Sequence, residues 1–261
     1  MKQIDSQRIY DILNADRLRY WEAFRLLKQM NLKPDKYGYG YRYERPLAND
    51  SETCFSIVYH SSSRCFVYFT DYDPTFIDEV LRQQPEEGYF ERLYFLLPPE
   101  QKLPDEIHGL PRSSSYSVFA YTGGVPTAPV DPHILILEKD ALVLYSGWLP
   151  DDETAGAVAQ TRVRELKEQG GKAVAWFEGR KLKAHTDCIA EAGEFWKLGN
   201  FVLSSVPEDR KEEVAAALLY ACLKTIREQG GIPIYEYRWG MYTQAAQKVG
   251  YQICQTMHCF E

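Results

Sequence analysis

The chain is expected to be an α/β protein in which a mixed sheet is flanked by helices. Three observations predict it. Apolar runs of strand length alternate with amphipathic runs of helix length, most regularly after residue 131. Two glycine pairs, Gly170-Gly171 and Gly230-Gly231, stop the two longest helical stripes. The third is the order within residues 200–251. A strand (Phe201 to Leu203) meets a Pro-bearing turn, and a long helix opens behind Glu208-Asp209-Arg210. A strand (Ile232 to Tyr237) and a helix ending at Gly250-Tyr251 follow.

Composition narrows the function classes. Domains cluster near ~100–150 residues, so 261 residues make one large domain or two small ones. A net charge of −7 gives no general electrostatic affinity for nucleic acid or for an anionic membrane. No run reaches the ~18 apolar residues of a membrane span. The start, MKQIDSQRIYDILN, has acids and amides where a signal peptide has its apolar core, so a cytoplasmic location is expected. Cys54, Cys65, Cys188, Cys222, Cys254 and Cys259 form no CxxC pair and have no His at zinc-finger spacing. They read as reduced, mostly buried small hydrophobes, with no metal expected.

The first half reads as follows. Residues 5–30 carry two apolar stripes, Ile9, Ile12 and Leu13, then Leu18, Trp21, Phe24, Leu27 and Met30, which suits core-facing helices. Asn14 or Asp16 is placed to cap the second; Asn31 and Pro34 end it. Tyr37, Tyr39, Tyr41 and Tyr43 alternate at a period of two, either a packed strand or one wall of a ligand groove. Cys54 to His60 and Arg64 to Thr70 make a hairpin. Asp73 is an N-cap for a helix over Phe76 to Gln83. Strands are expected at Arg92 to Leu97 and at Tyr116 to Tyr121, with residues 98–114 as a surface loop. The sequence TGGVPTAPVDP (122–132) reads as a linker. The expected domains are therefore 1–130 and 131–261.

In the second half, Ile134 to Glu138 and Leu142 to Ser146 are expected to pair as a hairpin. A helix over Asp151 to Gln169 follows, its positive end favoured by Asp151 and Asp152. Lys172 to Phe177 and Lys181 to Ala190 form a second hairpin around Glu178-Gly179-Arg180. Phe195 to Ser204 reads as one long strand.

The order hairpin, helix, hairpin, strand, helix, strand, helix, strand carries two further marks. From Ser205 the chain reads S-V-P-E-D-R-K-E-E-V-A-A-A-L-L, and from Ala245, A-A-Q-K-V-G-Y. Over residues 131–261 this resembles the GNAT superfamily of N-acyltransferases, whose segments read V-x-P-x-x-R-G-x-G-x-A-x-x-L-L and K-L-G-F. The resemblance implies a sheet that splays between the strands at 196–204 and 232–237, with coenzyme A in the splay. It leaves open whether the smaller α/β N-terminal domain is a decayed second copy of the same fold.

A helix start leaves backbone N–H groups unpaired and favours negative charge. By resemblance, the coenzyme A pyrophosphate would lie on Arg210, Lys211, Glu212, Glu213, Val214 and Ala215. Its pantetheine arm would run along Leu203, Ser204 and Ser205. An amine acceptor, small molecule or peptide, would approach from the opposite side. Tyr242 is the candidate proton donor, and Glu194 (with Glu191 beside it) the candidate base through water. The chain departs from the family at four positions. Lys211 and Glu213 replace its two glycines, Trp239 stands at its Asn, and Ala246 at its usual Tyr. Tyr242 lies one helical turn earlier. His185 and His258 read as structural. There is no G-x-S-x-G nucleophile elbow and no phosphate-loop Lys-Ser/Thr. Two readings follow: acetyl transfer from acetyl-CoA to a primary amine, with the N-terminal half shaping the acceptor side, or a catalytically inactive binding or regulatory module.

Overall fold

The computed structural model describes residues 1–32, 42–43, 46–61, 64–83, 90–148, 153–199, 201–237 and 242–261. Two compact units result, 1–118 with 253–261, and 119–252. The stretch 122–132, read as a linker, falls inside the second unit. The tyrosine row through Tyr41, Asp151, Asp152 and Trp239 lie outside the described residues.

The first unit begins with β1 (Lys2–Gln3), α1 (Ser6–Asn14) and α2 (Trp21–Leu32). Asp5 caps α1, accepting the Gln7 N–H at 2.8 Å. The Asp16 carboxylate instead accepts the Arg19 N–H, in the turn that leads to α2. Ile9, Leu13, Trp21, Phe24 and Leu27 are buried, which is why the two stripes fold inward. Next come β2 (Arg42–Tyr43), β3 (Leu47–Ala48), β4 (Phe55–Ser61), β5 (Arg64–Phe69), α3 (Pro74–Arg82) and β6 (Phe90–Leu97). Asp73 caps α3 as expected, at 3.1 Å from the Phe76 N–H, with Pro74 in its first turn. The expected surface loop at 98–114 is in part strand: β7 (Glu106–Ile107) turns back into β8 (Leu110–Ala120). His108 and Gly109 make that turn, both at positive φ (52° and 77°), the geometry a tight hairpin requires.

The second unit holds β9 (Ile134–Glu138), a 3₁₀ segment (Lys139–Trp148), α4 (Glu153–Glu168), β10 (Lys172–Glu178), β11 (Lys181–Ala192), β12 (Phe195–Leu198), α5 (Lys211–Glu228), β13 (Ile232–Tyr237) and α6 (Thr243–Val249). The expected hairpin partner at Leu142 to Ser146 is thus not a strand. Leu142 and Tyr145 are buried while Val143 and Leu144 are exposed, a period of three that suits a 3₁₀ turn. Helix α5 forms because Val214, Ala215, Leu218, Leu219, Cys222, Leu223 and Ile226 fall on one face, and all are buried. Gly230, at φ 75°, ends it.

The last strand, β14 (Gln252–Phe260), supplies residues 253–260 to the first unit. There the strand order is β1-β3-β4-β5-β6-β14-β8, with β5 and β6 parallel through α3. In the second unit the order is β13-β12-β11-β10-β9; among these described strands only β12 and β13 are parallel, joined through α5. This second sheet is covered on both faces. Val174, Trp176, Cys188, Trp196, Leu198 and Tyr235 pack with α5 and α6. Their neighbours Ala173 and Ile189 pack with Leu142, Tyr145, Val163 and Leu166 on the other side. No helix among the described residues is long and apolar enough to cross a membrane.

Candidate functional site

The site grows from a strand that does not run through. β12 was expected to continue to Ser204, but it stops at Leu198. The cause is Asp187 on β11. Its buried carboxylate accepts from the Tyr145 hydroxyl at 2.8 Å and from the Arg162 guanidinium at 3.2 and 2.5 Å. Gly199 lies directly against it, where a Cβ would overlap Oδ1. The pairing with β11 resumes at Val202, bonded both ways to His185 (3.0 and 2.9 Å), after one extra residue. Ser204 and Ser205 then lie exposed in a turn closed by the Val206 N–H on the Leu203 carbonyl at 3.0 Å. They are not the extended edge expected of them. Since Val202 points its backbone at β11, alternation turns that of Phe201 and Leu203 the other way.

That other way faces the opening, the place where the parallel pairing of β12 with β13 ends among the described residues. β12 pairs with β13 through Phe195↔Ile232, Trp196↔Pro233 and Lys197↔Ile234, and among the described residues the pairing stops there. Beyond it the Phe201 ring stands edge-on to Tyr235, centroids 5.2 Å apart, and 6.1 Å from the Tyr242 ring. Tyr242 is buried at the start of α6. Burial raises the pKa of its hydroxyl, with the Lys211 charge pulling the other way, so it is protonated at neutral pH. Ala246, at the position of the usual Tyr, is buried in the core.

Helix α5 starts on this side. A 3₁₀ turn (Glu208–Arg210) leads in, and no side chain caps the helix. Val214 and Ala215 turn their side chains into the core, and Glu212 is exposed. The two cations are held by carboxylates of the chain. Arg210 reaches Glu178 (3.3 Å) and Glu213 (3.5 Å) and lies 5.1 Å over the Trp176 ring. Lys211 is 2.6 Å from Glu208, whose carboxylate raises the pKa of its ammonium. Glu213 is drawn to Arg210 and remains largely exposed. Phe201 thus packs on Tyr242 and the Lys211 charge acts on the Tyr242 hydroxyl, while Arg210 is drawn to Trp176 and Glu178. Glu194 is elsewhere. It sits in the turn before β12 and its carbonyl accepts the Ile232 N–H, roughly 10 Å along the strand from the opening.

Sequence reasoning missed two parts of the site. Trp176 and Glu178, on a strand some thirty residues earlier, are what anchor Arg210. At the opening itself, Lys197 and Glu236 form an ion pair at 2.7 Å. No motif marks either. Among the described residues, no three His, Cys, Asp or Glu side chains converge as a metal site would need.

Comparison with solved structures gives the frame for this geometry. An acetyltransferase of the GNAT family from Colwellia psychrerythraea superposes with a TM-score of 0.55 at 15% identity, over 100% of this chain and 98% of its own. A GCN5-related N-acetyltransferase from Sphaerobacter thermophilus gives 0.56 at 10% identity, over 99% and 93%. The chain has the GNAT fold. The similarity takes in the first unit as well, beyond the residues 131–261 that carry the sequence resemblance. A Drosophila protein matches in the same way, with a TM-score of 0.52 at 10% identity over 99% of this chain and 97% of its own. No family model and no curated relative matches the sequence. At such identities the GNAT likeness speaks for the fold alone.

Proposed function

We propose that the second unit is an acyl-CoA-dependent N-acyltransferase, most simply one that moves an acetyl group from acetyl-CoA to a primary amine. One observation carries the reading: two parallel strands part just where a long helix without a side-chain cap begins. The N–H groups of the first turn of α5, with Arg210 and Lys211, suit a diphosphate. The backbone of Phe201 and the Leu203 N–H suit an extended amide-bearing arm, while the Leu203 carbonyl is taken by the Val206 N–H. Bound there, acetyl-CoA would supply a thioester already activated for attack. The protonated Tyr242 hydroxyl can give its proton to a leaving thiolate.

Among its described residues the first unit offers no second such site. Its own parallel pair runs from Cys65↔Phe90 to Phe69↔Phe95 with one register shift after Cys65, and Asp73 and Pro74 close the start of α3. We infer that it is a closed copy of the same strand–helix–strand unit.

A second reading, a non-catalytic binding module, has one observation in its favour: Glu178, Glu208 and Glu213 already neutralise both cations at the helix start. Calorimetric titration of the full chain with acetyl-CoA, followed by thiol release with an amine panel, separates the two. Binding with turnover, and loss of turnover in Tyr242→Phe, is expected. No binding at millimolar ligand would sink the enzyme reading, and binding with no thiol release across the panel favours the module.

A further inference from the structure

We infer that the second unit binds a small dicarboxylate in a lysine-walled cavity at the far end of α5 from Arg210. The inference is independent of the acyltransferase reading above.

Position comes first. A cavity of about 370 Å³ opens where α4 and α5 both end. Gly170 and Gly171 behind α4 and Gln229 behind α5 line it. So do Glu138, the last residue of β9, and Lys172, the first of β10. All of these residues belong to the second unit. Helix α5 has 18 residues. At a rise of about 1.5 Å per residue, the cavity lies roughly 27 Å from the helix start and is a separate place from the opening there. Its volume suits a ligand of metabolite size.

Charge sets the class of ligand. Lys139, Lys167 and Lys172 line the wall against the single carboxylate of Glu138. Lys172 is part of the wall itself. Its side chain is only 8% exposed, and the Glu138 carboxylate holds its head group across the β9–β10 pair. That bond, with the Lys139 charge adding to it, lowers the pKa of Glu138, so the carboxylate is ionised at neutral pH. Lys167 stands in the last turn of α4 and is exposed. The wall therefore carries two positive charges in excess. Asp140, Glu168 and Glu228, the nearest acids along the chain, are exposed and do not line the cavity. Lys139 gives a second, independent mark. Its φ is 54°, a left-handed conformation that strains a residue with a Cβ and that glycine would adopt freely. A lysine at such a turn supplies the wall with an ammonium that glycine would not.

Shape narrows the class further. Leu142 and Leu166, both fully buried, give the cavity an apolar floor. Lys139 and Lys172 share Glu138 on the strand side, and Lys167 comes from the helix. Two anionic groups on a short hydrocarbon frame can meet both sides at once and lay their methylenes on the leucines. A small dicarboxylate has that form. A lone phosphate gathers its charge at one point and leaves the floor bare. The Gln229 amide can donate a further hydrogen bond to a carboxylate. The C-terminal ends of α4 and α5 carry partial negative charge, which opposes an anion, and the exposed lysines are screened by salt. The expected affinity is therefore modest, roughly millimolar.

The test is calorimetric titration of the full chain, without coenzyme A, using succinate, succinamide and inorganic phosphate. Succinate should bind roughly 10-fold more tightly than either of the others, and its affinity should fall as salt rises. Lys167→Gln and Gln229→Glu change exposed side chains, so the free protein should keep its melting temperature while succinate binding weakens roughly 2- to 5-fold in each. Gln229→Lys should tighten it by a similar factor. Arg210→Gln is the control, because the start of α5 is the other place where an anion could settle; it should leave succinate binding unchanged. Succinamide or phosphate binding as tightly as succinate would overturn the dicarboxylate assignment. Loss of succinate binding in Arg210→Gln, with Lys167→Gln unaffected, would move the anion to the helix start and overturn the cavity. No saturable heat with succinate at tens of millimolar would overturn the inference outright, and each of these outcomes leaves the acyltransferase reading to its own test.

Discussion

Glu213 sets the electrostatics of the helix start. Its carboxylate stands where the family carries a glycine, and it competes with any incoming anion for Arg210. The pair is solvent-exposed, so its worth is modest, about 0.2–1 kcal/mol. Glu213→Gly should tighten coenzyme A binding by roughly 2- to 5-fold at low salt, and the gain should shrink as salt rises. Titration of both proteins at two ionic strengths checks this; unchanged affinity at low salt would mean that Arg210 does not meet the ligand. Single residues at this site were partly legible. The motif singled out Arg210 and Lys211 at a helix start and Tyr242 before a glycine-bounded helix, because such helix ends have local signals. It could not place Glu194, which the turn at Gly193 puts at the paired end, nor show that Trp176 and Glu178 hold Arg210 from another strand.

At the scale of elements, the break in β12 is the decisive feature. The run Phe195 to Ser204 reads as one strand by its apolar residues, although Gly199-Asn200 within it is a bulge signal. Asp187, twelve residues before Gly199 and fixed in turn by Arg162 and Tyr145, is what lies against that glycine. The glycine marks the place, but its partner across the sheet has no local signature. The same is true of the 3₁₀ segment at 139–148, whose apolar residues match a strand until burial shows a period of three. Helix α5 and strand β13, by contrast, were readable end to end, since a buried stripe and a glycine stop are properties of the segment itself. Replacing Gly199 by Ala would force its Cβ onto the Asp187 carboxylate. The expected cost is about 1–3 kcal/mol, with weaker coenzyme A binding as the opening shifts. Urea denaturation and calorimetry on the variant test both halves of that statement; a variant as stable as the parent would show that the carboxylate moves freely.

The molecule as a whole is two units with separate cores, and they should respond differently to acid. His258 is in the first unit, its Nδ1 2.7 Å from the Ser115 hydroxyl. Burial, and secondarily the charge of Arg112, hold its pKa down at about 4 against an ordinary 6.5. Between those values the unfolded chain binds a proton that the folded chain does not. Stability of the first unit should therefore fall as pH is lowered from about 6.5 toward 4, and be level above that window for this group. His258→Gln should flatten the slope. Hydrogen exchange at pH 7 and 5 reads the two units separately, and a slope that survives the substitution would assign the acid sensitivity to another group.

Strand β14 has a consequence for how the chain is made. It lies between β6 and β8 in the first unit, yet it is translated only after the whole of residues 119–252. At ~5–20 residues per second, that interval lasts roughly 7 to 27 seconds. Throughout it the nascent first unit holds open edges on β6 and β8, the kind of surface that recruits a foreign strand. A ribosome-bound chaperone, or simply slow release, has its window of action there, and a stall within 119–252 would leave the first unit unfinished.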